Sequence, residues 1–266
     1  CYLFNFSIFT FITKHYFKKF VNILMKNYCL NVIQTCKSTN DEIIKLGKEG
    51  ADEGISILSF NQTNGRARKN KFWISAKGNI FLSTLVKPNV NKKFWSQISL
   101  ISALSVIETL IEIGFHEKNL KIKWPNDILL NLKKVSGILI ESIDNFLVVG
   151  IGLNVNSHPK NHNVYKTTDL SSNIKSLPNF GLEEMANIIL KNFYFNYFKW
   201  EQNLLEPFFK RINNNLAFTN KSISFFKGKV KKTGNLIGID KNGLLKVDVD
   251  NQEVKIISAD YCFVDD

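Results

Sequence analysis

A chain of 266 residues has room for a catalytic domain and a small satellite, and with 44% hydrophobic and 22% charged residues it is neither a disordered nor a collagen-like polymer. No uninterrupted run of about 20 apolar residues stands out, so a soluble chain is expected and a membrane span is not. The net charge of +12 raises the question of a nucleic-acid surface, but the arginines are only Arg66, Arg68 and Arg211, and forked recognition of phosphates and bases is arginine chemistry.

Residues 1–24 are rich in aromatics, contain no acid and precede Met25-Lys26-Asn27-Tyr28, which reads as a start. An extension outside the fold is expected there, with a targeting or partner-binding helix as the alternative. Cys1, Cys29, Cys36 and Cys262 form no CxxC pair and no metal-ligand spacing, which favours a reducing, cytoplasmic compartment and no metal site. His158 and His162 lie in a polar stretch and read as solvated loop histidines.

Ser38-Thr39-Asn40-Asp41-Glu42 places capping and acidic residues ahead of Ile43, Ile44 and Leu46, which predicts a helix start. Ile55 to Phe60 and Ile80 to Val86 read as strands, separated by a long polar loop from Asn61 to Gly78. From Asn91 to Gly114, apolar residues at helical spacing end on a glycine and predict a long core-facing helix. Four short strand signals between Lys121 and Gly152 predict an antiparallel meander. A helical region then runs from Gly181 to about Asn215 with a break near Pro207. From Lys221 onward, short strand signals (Ser222 to Phe226, Leu244 to Val249, Glu253 to Ile257) separated by Gly228, Gly234, Gly238 and Asn242-Gly243 predict a small all-β unit, with a boundary near Asn220.

Four constellations carry chemistry. Gly65-Arg66-Ala67-Arg68-Lys69-Asn70-Lys71 is a cationic loop suited to an anion with several oxygens, although a charge run can also be a solvated face. Lys123-Trp124-Pro125-Asn126-Asp127 runs from a strand end into a turn whose Asn and Asp could equally serve turn chemistry. In Lys134-Val135-Ser136-Gly137-Ile138-Leu139-Ile140-Glu141 a glycine inside an apolar strand marks a close approach by a ligand or another backbone. Gly150-Ile151-Gly152-Leu153-Asn154 lacks the third glycine of a Rossmann fingerprint, and no Walker A sequence exists.

Taken in order, these segments together with Ser38-Thr39-Asn40 and Gln62 resemble the biotin–protein ligase family, over roughly Tyr28 to Asp266. The resemblance implies an α+β fold: a mixed β-sheet with flanking helices, like class II aminoacyl-tRNA synthetases, over residues 25–220, then an SH3-like β-barrel over 221–266. It implies that biotin and ATP, with Mg2+, give biotinyl-5′-AMP and pyrophosphate, and that biotin then passes to a lysine of a biotin carboxyl carrier protein. Fewer residues precede Ser38 than a helix-turn-helix domain needs, which suggests the ligase-only form, monomer or homodimer, without a specific nucleic acid or membrane partner.

By position, the resemblance implies biotin binding by Ser38, Thr39, Asn40, Gln62, Gly65, Arg66 and Gly137. It implies nucleotide binding by Arg68, Asn126, Lys134 and Asn154, and catalytic roles for Lys134, Arg68 and Asp127, the last receiving the carrier lysine. Ala67, Asn70 and Lys71 depart from the family's usual Gly-Arg-Gly-Arg-Arg-Gly-Arg loop, and alanine tolerates positive φ poorly. A lipoate–protein ligase of the same fold and a basic, non-catalytic nucleic-acid-binding protein are the alternative readings.

Overall fold

A computed structural model describes residues 28–159, 166–174, 181–227, 230–257 and 261–262, so the N-terminal extension and His162 lie outside the described residues. The chain begins with β1 (Cys29–Ile33), α1 (Thr39–Lys48), β2 (Ile55–Ser59) and β3 (Ile80–Val86). There follow α2 (Ile98–Glu112), β4 (Leu120–Lys123), β5 (Asp127–Leu130), β6 (Lys133–Ile143) and β7 (Phe146–Leu153). The helices α3 (Leu182–Asn203) and α4 (Phe209–Asn215) precede β8 (Ser222–Lys227), β9 (Val230–Ile239), β10 (Leu245–Val249), β11 (Gln252–Ile256) and β12 (Tyr261–Cys262).

The first seven strands form one mixed sheet in the order β1-β2-β3-β7-β6-β5-β4. Only the β1/β2 pair is parallel, and β4 to β7 make the expected meander. Alternation along β2 and β3 sends Leu58, Ile80 and Leu82 to one face and Ile57 and Leu85 to the other. The first face is covered by α2 and α3, and the second by α1, whose Ile43 joins Ile57, Leu85, Phe146 and Val148. Gly47 of α1 lies so close to the sheet that a Cβ there would meet the Phe146 ring at 2.5 Å.

The helix read from Asn91 starts as a 3-10 stretch at Lys92–Gln97 and becomes α2 only at Ile98, and Gly114, at φ 107°, ends it in the left-handed region. By length and composition Lys92–Glu112 is apolar enough to cross a membrane, but 78% of its most apolar window is buried within the protein, as befits a core helix. The helix is buried on most sides because the sheet and α3 enclose it, and its buried Ser102, Ser105 and Thr109 donate back to carbonyls one turn earlier.

Beyond α4 a second, antiparallel sheet runs β11-β10-β9-β8-β12, consistent with a small barrel-like domain. It meets the first domain where Trp124 Nε1 donates to Gly243 O at 2.8 Å and Asn213 Oδ1 accepts from Ile239 N at 2.9 Å. Gly234, read from sequence as a separator, instead lies inside β9, where a Cβ would stand 2.4 Å from Asp248 O on the neighbouring strand.

Candidate active site

One face of the large sheet opens into a cleft of about 220 Å³ between α1, the loop before β3, and strands β5 to β7. Ser38 occupies the N-cap position of α1 in extended backbone, but its hydroxyl makes no capping bond, so this buried group faces the cleft as a free polar contact. Thr39 donates from both its amide and its hydroxyl to Gln62 Oε1, at 2.8 and 3.1 Å. Gln62 Nε2 donates in turn to Ser75 Oγ at 3.2 Å, which fixes the orientation of the Gln62 amide.

The polar loop that sequence leaves without structure is a tight hairpin. Residues Arg66 and Phe72 bridge, Ala67 N donates to Lys71 O at 2.8 Å and Trp73 N donates to Gly65 O at 2.9 Å. Gly65 lies beneath the cleft wall instead of lining it: a Cβ there would sit 2.6 Å from Trp73 O. Ala67 has φ −133°, extended backbone that any residue adopts, so the alanine in place of the family's glycine introduces no strain in this conformation. The left-handed residue of the hairpin is Lys69, at φ 58°.

Arg66, Arg68, Asn126, Asp127, Lys134 and Gly137 all line the same cleft, although Arg66 and Lys134 lie far apart in the chain. Arg68 Nη1 donates to Asn126 Oδ1 at 3.1 Å, and Asn126 Nδ2 donates to Ile138 O at 2.8 Å, so the hairpin tip is tethered to the turn before β5. Lys134 Nζ is 2.7 Å from Asp127 Oδ1 and 5.3 Å from the centroid of the Trp73 ring. That ring, absent from the sequence-derived site, lies over Gly137 and Gly152, which are register partners on β6 and β7. A Cβ at either position would approach it to 2.8 or 2.6 Å, which explains why both strands carry glycine there.

Asn154 does not line this cleft. It is buried at the end of β7, where its Nδ2 donates to Thr168 O at 3.0 Å and its Oδ1 has no partner. Its contact holds a segment that in turn brackets Lys134: Lys134 N donates to Lys166 O and Thr168 N to Lys134 O, each at 2.9 Å. Arg66 Nε and Trp73 Nε1 are likewise buried without a partner, so the unmet groups of these two cleft residues are donors suited to the acceptor oxygens of an acid ligand.

His158 is not the solvated histidine that the sequence suggests, for its Nδ1 lies 2.5 Å from Asp169 Oδ2. Burial pushes the Asp169 carboxyl up, but hydrogen bonds from His158, Ser172 and Ser171 outweigh it and hold the group below the ordinary carboxylate range. A depressed carboxyl contributes stability above its unfolded value and loses it as pH falls through the folded one. Asp169→Asn should therefore cost about 1–3 kcal/mol at neutral pH, and the gap to the wild type should close below about pH 4 in denaturant titrations. Among the described residues no group of three or more His, Cys, Asp or Glu side chains is placed to hold a metal.

Residues 32–156 match the biotin/lipoate A/B protein ligase family. The bifunctional ligase/repressor BirA of Bacillus subtilis is 28% identical over 84% of this chain and 70% of its own length. The biotin–[acetyl-CoA-carboxylase] ligase of Mycobacterium tuberculosis is 34% identical over 49% of this chain and 51% of its own. The biotin protein ligase of Aquifex aeolicus, solved in complex with biotin and ATP, superposes with a TM-score of 0.76 at 27% identity, covering 87% of this chain and 97% of that one. A shared mixed sheet, the segments around Ser38, Arg66, Asp127 and Lys134 converging on one cleft, and relatives that carry the same activity in their names lead to one conclusion: this chain is similar in sequence, fold and site to the biotin–protein ligases of the biotin/lipoate A/B protein ligase family.

Proposed function

We propose that this chain is an ATP-dependent ligase that converts biotin to biotinyl-5′-AMP and transfers the biotinyl group to a lysine of a biotin carboxyl carrier protein of the acetyl-CoA carboxylase type. The observation that carries the reading is the single cleft in which Ser38, Thr39 and Gln62 face Arg66, Arg68, Lys134 and Asp127. Its small polar groups suit a cyclic urea, and its cations suit a carboxylate and phosphates.

In the first half-reaction a biotin carboxylate oxygen attacks the α-phosphorus of ATP, the bond to the β-phosphate oxygen breaks, and pyrophosphate leaves. Lys134 supplies positive charge where the equatorial phosphate oxygens gain negative charge, and Arg68 holds the hairpin over the adenylate. Asn126 orients the nucleotide, and Asn154, which lies outside the cleft, acts through the Thr168 segment that brackets Lys134. Mg2+ would be held chiefly by the phosphates and water and would offset phosphate charge.

In the second half-reaction the carrier amine attacks the acyl carbon and AMP departs with the bonding electrons. Asp127 receives the amine's proton and orients it. In this scheme the catalytic domain spans residues 25–220 and an SH3-like barrel residues 221–266. Pyrophosphate exchange into ATP tests the scheme: exchange that depends on biotin is the expected result, and exchange that depends on lipoate alone would overturn it.

A further inference from the structure

We infer that Glu141, assisted by Asp41, is a positioning residue that aligns the Arg66 guanidinium and the Asn40 carboxamide as one donor set for the acid substrate, an inference that rests on the ligase reading above. Glu141 stands on β6, Arg66 in the hairpin and Asn40 in the first turn of α1, three segments that meet only in the folded protein. Glu141 Oε2 pairs with Arg66 Nη2 and also accepts from Asn40 Nδ2 at 2.7 Å. Arg66 Nη1 lies 3.2 Å from Asp41 Oδ1, so both terminal nitrogens of the guanidinium are anchored.

The anchoring fixes the plane of the guanidinium and so the direction of the N–H groups left for a ligand. With Nη1 and Nη2 engaged, Arg66 Nε is buried and without a partner while the side chain lines the cleft. An unmet buried donor is costly, so an arriving acceptor oxygen relieves that cost without reorganising the arginine. The same carboxylate fixes Asn40: with Nδ2 donating to Glu141, Oδ1 is directed to Ser83 Oγ at 2.6 Å. A Cβ at Gly150 would stand 2.1 Å from that Oδ1, so the amide is pressed against bare strand backbone and has little room to turn.

A carboxylate beside an arginine can act in two opposed ways. As a competitor, Glu141 would neutralise Arg66, and its removal would strengthen the binding of an acid. As a positioner, its removal lets the guanidinium and the amide wander, and binding weakens. The double contact to Arg66 and Asn40, together with the free Nε, favours positioning.

The test is calorimetric titration of the full chain with biotin alone, beside pyrophosphate exchange at saturating biotin. Glu141→Ala should raise the biotin Kd about tenfold or more, the effect of losing one charge-assisted contact, and change the exchange kcat by less than about threefold. Glu141→Gln keeps the size and one acceptor oxygen, should recover part of the affinity, and carries the same comparison if the alanine variant does not fold. In an Arg66→Ala background the Glu141→Ala effect should shrink at least about threefold. An unchanged or lower Kd, or equal effects in both backgrounds, overturns the inference while wild-type exchange with biotin stands. Absence of exchange in the wild type instead overturns the ligase reading.

Discussion

Replacing Lys134 by alanine is expected to slow biotin-dependent pyrophosphate exchange about 100-fold or more, equal to roughly 2.7 kcal/mol of lost transition-state stabilisation. The ammonium group is held by two kinds of contact, the ion pair to Asp127 Oδ1 at 2.7 Å and the face of the Trp73 indole. Its backbone is fixed on both sides by the 166–168 segment. A charge in a preset place needs no reorganisation as phosphate charge develops, which is where such a group gains its effect. Steady-state exchange with the variant, beside its thermal midpoint, separates chemistry from folding. Near wild-type exchange would remove Lys134 from the reaction. In the proposed scheme the pairing would also order the two half-reactions, because a phosphate that draws the ammonium away would release Asp127 to accept from the incoming carrier amine.

Arg68→Ala is expected to leave single-turnover adenylation within a few-fold of wild type but to shorten the retention of biotinyl-AMP about tenfold or more. Arg68 is the described tether between the hairpin tip and Asn126, at 3.1 Å, and a charge-assisted hydrogen bond of this kind contributes about 1.5–3 kcal/mol. Its loss raises the population of open hairpin by a factor of that order without moving Lys134. Rapid filtration of radiolabelled adenylate followed over time is the direct measurement. Retention equal to wild type would mean that the hairpin closes by other contacts.

Much of the catalytic domain was legible because its strands are short, apolar and punctuated by turns: β3 and β5 to β7 lie within a residue or two of the positions their patterns indicate. β1 was not read, since Cys29–Ile33 is a short edge strand in which Leu30 and Val32 alternate inward for two positions only and no residue is fully buried. β9 was mistaken for separated turns because Gly234 serves close packing against the neighbouring strand and Gly238 a close approach to Asn213 of α4, tertiary causes with no local sign. In the site, motif order reached Ser38, Gln62, Arg66, Arg68, Asn126, Asp127, Lys134 and Gly137. It did not reach Trp73 or Glu141. Trp73 reads locally as the anchor of a loop, and Glu141 as the polar end of an apolar strand. Their places depend on the hairpin folding across β6 and β7, which no local spacing records.

The partnered state of the cleft cations bears on turnover. Arg66 rests on Asp41 and Glu141, and Lys134 on Asp127, so neither is a bare positive charge in the ligand-free protein. At Lys134 an arriving phosphate would enter by exchange, displacing Asp127 as it binds, whereas Arg66 keeps its two carboxylates. The exchange at Lys134 would run equally well backward: once AMP has formed, Asp127 stands beside the ammonium ready to reclaim it. In the proposed cycle a cation with strong affinity for phosphate would thereby avoid becoming a trap for the enzyme's own product.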